Sequence, residues 1–114
     1  MGNYLVIGNK SAGSKRLSGI TINLMRRATE KPLKADDSNS FKIDRSDVAV
    51  VLLYAKMFRD NESAFRRYME QCQNEGDLYV SQHEGDFEWI HDCFSEYLAW
   101  MILHKSRKLR CHWE

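Results

Sequence analysis

Hydrophobic spacing along the chain marks out most of its elements. Between Asp86 and Lys105 (DFEWIHDCFSEYLAWMILHK), steps of about 100° per residue gather Phe87, Ile90, Phe94, Tyr97, Leu98 and Met101 on one face. Trp89, Cys93 and Trp100 form a shoulder beside that face, and Glu88, Asp92, Ser95, Glu96 and Ala99 make a narrow polar strip. The pattern predicts a helix, with Asp86 as N-cap and Lys105, Arg107 and Lys108 complementing the negative end of its dipole. Its apolar arc is wider than one packing layer needs. The helix is therefore central, with neighbours on two sides, or it lends its tryptophan shoulder to a partner chain.

Upstream, Asp44-Arg-Ser-Asp47 offers caps for a helix running to about Arg59. Its segment DVAVVLLYAKMF is apolar all round, so length rather than period favours helix over buried strand. Asp60-Asn61 breaks that run and caps a third helix over Glu62–Gln73. There Phe65, Tyr68, Met69 and Cys72 recur at i, i+3, i+4 and i+7, Glu62 and Arg66 are ordered for an ion pair, and Gly76 supplies a stop. The first third reads differently. Tyr4–Ile7 is a short strand closed by Gly8-Asn9, and Gly8–Arg16 (GNKSAGSKR) is a flexible loop. Ile20, Ile22 and Leu24 alternate with Thr21 and Asn23, which favours a half-buried strand over Leu17–Arg27, with a helix through Leu17, Ile20 and Leu24 as the alternative. Ala28–Ser40, which holds the one proline, Pro32, is a long polar connection. Phe41–Ile43 is expected to return as a short strand beside Ile20–Leu24. Leu78–Val80 reads as a strand or extended link, and Ser106–Glu114 as a basic tail.

Composition sets the class. At 114 residues, 43% hydrophobic and 29% charged, the chain can bury one core without disulfides or metal. No apolar run is long enough to span a bilayer and no signal-peptide pattern opens the chain. Three cysteines without framework spacing suit reduced thiols, so a cytoplasmic location is expected. The net charge of +1 conceals segregation. Residues 1–34 carry seven basic residues and one acid, residues 35–104 six and fourteen, and residues 105–114 four and one. Such blocks either face each other in the fold or mark a surface for an anionic partner.

Candidate chemistry follows from the residue types. Gly8 and Gly13 have the glycine spacing of a phosphate-binding loop, but Ser14-Lys15 reverse its Lys-Ser/Thr order, so a nucleotide site at Gly8–Arg16 is a minor reading. The strand and NKSAGSKR faintly resemble the opening of diacylglycerol-kinase-like domains over Tyr4–Arg16, without that family's proline, and no family property is carried over. Histidine and cysteine spacing gives no metal site, because His91 and Cys93 point about 160° apart on one helix. Cys111, between Arg110 and His112, is the thiol expected to react most readily. The cations Lys10, Lys15, Arg16, Arg26, Arg27, Lys31, Lys34, Lys105, Arg107, Lys108 and Arg110, with Trp113 to stack, are candidates for nucleic-acid binding. Trp89, Cys93 and Trp100 are candidates for a protein interface, since five Phe, five Tyr, three Trp and five Met exceed ordinary surface needs.

These readings converge on a single α+β domain over 1–114. It is helix-dominated, with two to four short strands in a small N-terminal sheet and polar loop (1–45), about three C-terminal helices (46–106) and a basic tail (107–114). The expected function is non-enzymatic contact with a protein partner or a second copy, with no cofactor. Nucleic-acid binding through the basic ends is the alternative. The two separate on whether those ends merge into one surface.

Overall fold

A computed structural model describes residues 5–17, 19–29, 40–75 and 87–113. Along the chain run β1 (Leu5–Asn9), β2 (Gly13–Leu17), α1 (Gly19–Thr29), β3 (Ser40–Asp44), α2 (Arg45–Asp60), α3 (Glu62–Asn74), α4 (Phe87–Leu103) and β4 (Lys108–Trp113). The strands form one antiparallel sheet in the order β2-β1-β4-β3, with the helices packed on one face, an α+β architecture.

The helices form where periodicity and capping agree. Asp44 caps α2 by accepting from the Asp47 amide (2.9 Å), while Asp47 Oδ2 accepts from the Asp44 amide (3.0 Å), a reciprocal capping box. Asn61 caps α3 through the Ala64 amide (3.1 Å), and Glu62 pairs with Arg66 at 2.7 Å. Helix α4 ends with Lys105 in the left-handed region at φ +53°, Ser106 N on Met101 O (2.8 Å) and Lys105 N on Ile102 O (3.2 Å). Arg45 then caps that end from α2, donating to Met101 O (3.1 Å) and Ser106 O (2.9 Å). Asp86, Gly76 and Leu78–Val80 lie outside the described residues.

The core lies between sheet and helices. Leu5, Ile7, Ile43, Leu109 and Cys111 are fully buried from the sheet side, against Val48, Val51, Phe94, Tyr97 and Met101. Helix α2 packs against α1, α3 and most extensively α4, so α2 rather than α4 is the central helix. An aromatic cluster of Phe58, Phe65, Tyr68 and Phe87 locks the α2–α3 corner to the start of α4, with centroids from 4.7 to 6.0 Å apart. Helix α4 keeps neighbours on two sides. Its Tyr97 hydroxyl is shared between Ile7 O (3.1 Å) and Gly13 O (3.0 Å), which fastens it to the β1–β2 hairpin.

Three expectations are corrected. Leu17–Arg27 is not a strand: Gly19–Thr29 is helical, and Phe41–Ile43 pairs with β4 instead. The alternation misleads because Thr21 and Asn23 do not face water. Both are fully buried, and Asn23 Oδ1 accepts from Cys72 Sγ at 3.7 Å. The Gly8–Arg16 loop is mostly strand. It is a hairpin whose turn closes when Ala12 N donates to Asn9 Oδ1 (2.7 Å), and Gly8 and Gly13 take φ of +110° and +83°. The basic tail is β4, inserted between β1 and β3 so that the sheet is not confined to the N-terminal part.

Candidate nucleic-acid interface

Opposed residues in antiparallel strands share a face, and every second residue along each strand returns to it. Leu5 lies opposite both Leu17 and Trp113, and Ile7 opposite Cys111, on the core side. The intervening positions therefore define the outer face. Arg16, Val6, His112 and Ser40 form one row across all four strands, covered at its middle, where Val6 is buried and the His112 Nδ1 is enclosed, while Arg110 stands opposite Lys42 and Lys108 opposite Asp44. Arg16, Lys42, Lys108 and Arg110 are exposed. With strands about 4.8 Å apart and about 3.4 Å per residue, these four cations fall within roughly 16 Å. Sequence-distant charge is thus brought together by pairing, since Arg16 comes from the N-terminal basic block and Lys108 and Arg110 from the C-terminal one.

Acid is scarce on this face. Among the described residues, the four strands contain a single carboxylate, Asp44. It is occupied as the α2 cap. A hydrogen bond from the Ser46 hydroxyl (2.6 Å), then the Asp47 amide, hold its carboxyl below the usual 3.8, and Lys108 Nζ lies 4.0 Å away. The acidic charge sits elsewhere. Glu88, Asp92 and Glu96 run along the exposed side of α4 at i, i+4 and i+8, and Asp60 closes α2 beside Arg59 (3.0 Å). The helix layer is mixed, since Lys56, Arg59, Arg66 and Arg67 are exposed there beside the acids, so the sheet face differs from it by its scarcity of acid.

Not every candidate cation joins the face. Lys10 is exposed in the β1–β2 turn, and Lys105 and Arg107 are exposed in the turn leading into β4. Lys15 points the other way, half-buried on the core side of β2, close enough to act on the Cys93 thiol. Arg26 and Arg27 lie on α1, where Arg27 donates to Glu75 (2.6 Å) and Cys72 Sγ (3.3 Å). Lys31 and Lys34 lie outside the described residues. Trp113 is a correction: its side chain is 8% exposed and packs in the core, so it offers no stacking surface. Sequence reading missed Lys42 and His112 on the face. The alternation Lys-Leu-Arg-Cys-His-Trp over 108–113 carried the signal, because a period of two marks a strand with cations on one side.

The tryptophan shoulder of α4 is divided. Trp89 is 37% exposed, whereas Trp100 is half-buried, stacked on His104 at 4.7 Å and donating from Nε1 to Ser11 Oγ (3.2 Å). Cys93 is buried against the core and leaves the set of interface candidates. The glycine-spaced loop loses its basis as a phosphate site too, because it turns back as a strand instead of opening a helix.

The thiols are likewise reassigned. Cys72, Cys93 and Cys111 are all buried, so Cys111 is not the reactive thiol that its basic neighbours suggest. Burial pushes the Cys93 thiol up to about 11. At pH 8 a disulfide-exchange reagent is expected to titrate the native protein at least about 100-fold more slowly than the urea-unfolded chain. Rapid native modification of Cys111, located by peptide mapping, would show that the last strand detaches readily.

Among the described residues, no group of three or more His, Cys, Asp or Glu side chains is placed to hold a metal ion, and no helix is long and apolar enough to cross a membrane. Comparison with family models, curated proteins and solved structures gives no match.

Proposed function

We propose that the protein is a non-enzymatic binding protein whose outer sheet face engages the phosphate backbone of a nucleic-acid duplex. The observation that carries this reading is the gathering of Arg16, Lys42, Lys108 and Arg110 on one sheet face by the β2-β1-β4-β3 order. Four cations within roughly 16 Å meet several phosphates, because a duplex carries about one charge per 1.7 Å of its axis. The described positions of that face include no Phe, Tyr or Trp, and the ring that does lie there, the His112 imidazole, is half-buried with its Nδ1 covered. Base stacking therefore has no platform there, and backbone contact to a duplex is favoured over capture of single strands. The acidic side of α4, by repelling phosphate, orients approach sheet first.

Fluorescence anisotropy with a labelled random duplex tests the reading. Four phosphate contacts give a slope near −3.6 in log K against log salt, about a 100-fold loss of affinity between 50 and 200 mM salt. The double reversal Arg16→Glu/Arg110→Glu is expected to weaken binding by at least about 30-fold and to flatten that slope. Lys56→Glu, on the exposed side of α2, is expected to leave both unchanged. Equal binding by the sheet-face variant and the parent would remove the proposal.

A second reading, protein contact, draws on a different surface. Leu53 (65% exposed) and Met57 (43%) stand one turn apart on the outer side of α2, an apolar stripe that nothing among the described residues covers. Concentration-dependent association measured by light scattering, abolished by Leu53→Lys, would favour it.

A further inference from the structure

Three cations that lie off the sheet face share a place of their own. Strand β1 runs towards Lys10 and β4 runs away from Arg107, and the register Leu5↔Trp113, Val6↔His112, Ile7↔Cys111 sets the two strands side by side in opposite directions. The β1–β2 turn and the α4–β4 turn therefore close over the same end of the sheet, where Lys108 stands opposite Asp44. With neighbouring strands about 4.8 Å apart, Lys10 and Arg107 are brought together from opposite ends of the chain. A direct contact ties the turns: Trp100 Nε1 donates to Ser11 Oγ (3.2 Å), and its ring stacks on His104, next to Lys105. Lys10, Lys105 and Arg107 are exposed, and none of them forms an ion pair among the described residues.

The negative groups described at this end are already engaged. Helix α4 directs its C-terminal carbonyls here, where its dipole would repel an anion. Arg45 donates to Met101 O and Ser106 O, while the His104, Lys105 and Ser106 amides donate to Trp100 O, Ile102 O and Met101 O. Asp44 and Asp47 each accept from the other's amide in the α2 capping box, and Lys108 Nζ lies 4.0 Å from Asp44. The turn that carries Arg107 is held by the Ser106 hydroxyl donating to Lys108 O (2.8 Å). Lys10, Lys105, Arg107 and Lys108 thus gather around two carboxylates that are both committed to a helix cap.

We infer that this end of the sheet is a second phosphate-binding surface, continuous with the outer face through Lys108, so that one duplex is held by Lys10, Lys105 and Arg107 as well as by Arg16, Lys42, Lys108 and Arg110. The inference rests on the reading of the sheet face as a duplex-binding surface. Arg107 lies one residue beyond Lys108, which puts the far end of the combined surface roughly 17 Å along the strands from the Arg16 row. Over that length a duplex presents about ten charges, enough for a contact to each of the seven cations.

Counting contacts separates the two statements. Seven phosphate contacts give a slope near −6.3 in log K against log salt, whereas the sheet face alone gives one near −3.6. Anisotropy of a labelled random duplex with the full-length protein, between about 50 and 200 mM salt, reads that slope. Lys10→Gln/Arg107→Gln takes one cation from each turn and leaves Lys105, whose left-handed backbone ends α4, in place. It is expected to flatten the slope by about 1.8 and to weaken binding at least about 10-fold at 100 mM salt, with the thermal midpoint unchanged. Lys56→Gln/Arg67→Gln removes the same charge from the exposed helix layer and is expected to leave slope and affinity as they are. A parent slope near −3.6 that the turn substitutions do not move, but that Arg16→Glu/Arg110→Glu flattens, would overturn the inference and leave the sheet-face reading standing. An equal loss in Lys56→Gln/Arg67→Gln would also overturn it, because net charge rather than position would then govern binding. A parent that fails to bind the duplex even at the lowest salt would defeat both.

Discussion

A chain ending at Arg107 is expected to lose cooperative folding altogether. Strand β4 is not an appendage, since it pairs with β1 on one side through Leu5↔Trp113, Val6↔His112 and Ile7↔Cys111. On the other side it pairs with β3 along the whole length of that strand, from Ser40↔His112 to Asp44↔Lys108. Its removal detaches β3 from the β1–β2 hairpin and leaves two ladders of backbone groups without partners. It also removes Leu109, Cys111 and Trp113 from the core. At about 1.5–3 kcal/mol per large apolar side chain, Leu109 and Trp113 alone contribute about 3–6 kcal/mol, a large part of the 5–15 kcal/mol by which domains of this size are stable. Thermal melting followed by far-UV circular dichroism should show a sigmoidal transition for the full chain and a shallow, non-cooperative slope for the truncated one. A truncated protein melting within about 5 °C of the parent would mean that β4 is dispensable.

The same strand explains which parts of the fold could be read in advance. Helices α2, α3 and α4 were legible because each is longer than any strand here and its caps and apolar spacing agree, as with the Asp44–Asp47 box and the Glu62–Arg66 pair. Helix α1 was not. Its Thr21 and Asn23 look like the polar side of a strand, and only the burial of Asn23 beside Cys72, 49 residues away, shows that polarity did not mean exposure. Charge hid β4: four cations in Lys105–Arg110 suggest a solvated tail, although Leu109, Cys111 and Trp113 alternate with them at a period of two.

The candidate site divides along a related line. Arg16, Lys108 and Arg110 could be named as cations, but their shared face is a property of register, which couples residues about 100 positions apart and leaves no local trace. Lys42, sitting in a mainly acidic stretch, acquires its meaning only through Arg110 across the ladder. Trp113 failed as a stacking residue for the complementary reason. It occupies an odd position of the same alternation and therefore faces the helices. The packing of the Arg27 guanidinium over the Tyr68 ring had no sequence signature, because the two come from helices that meet only in the folded chain.

Gly8→Ala is expected to cost about 3–5 kcal/mol, by far the largest effect of any single methyl group added to the hairpin. Two separate terms combine there. Gly8 has φ of +110°, a conformation that costs an L-residue about 1–2 kcal/mol. In addition, a β-carbon would overlap the Gly13 carbonyl oxygen and come within 2.9 Å of the Tyr97 hydroxyl. The clash cannot relax locally, because that same carbonyl and the Ile7 carbonyl are the two acceptors of Tyr97. Relief would require the hairpin to move away from α4, leaving a buried phenol without partners. Gly13→Ala separates the terms. Its φ is +83°, yet an added β-carbon meets nothing within 4 Å, so only the backbone cost of about 1–2 kcal/mol should remain. Urea unfolding of the two variants should therefore differ by about 1–4 kcal/mol, with Gly8→Ala the less stable. Tyr97→Phe combined with Gly8→Ala should recover part of the loss, since the phenol oxygen is one of the two atoms the methyl meets. Equal costs at Gly8 and Gly13 would show that the hairpin is not clamped by Tyr97, and that the close approach of β1, β2 and α4 at this corner is looser than its hydrogen bonds imply.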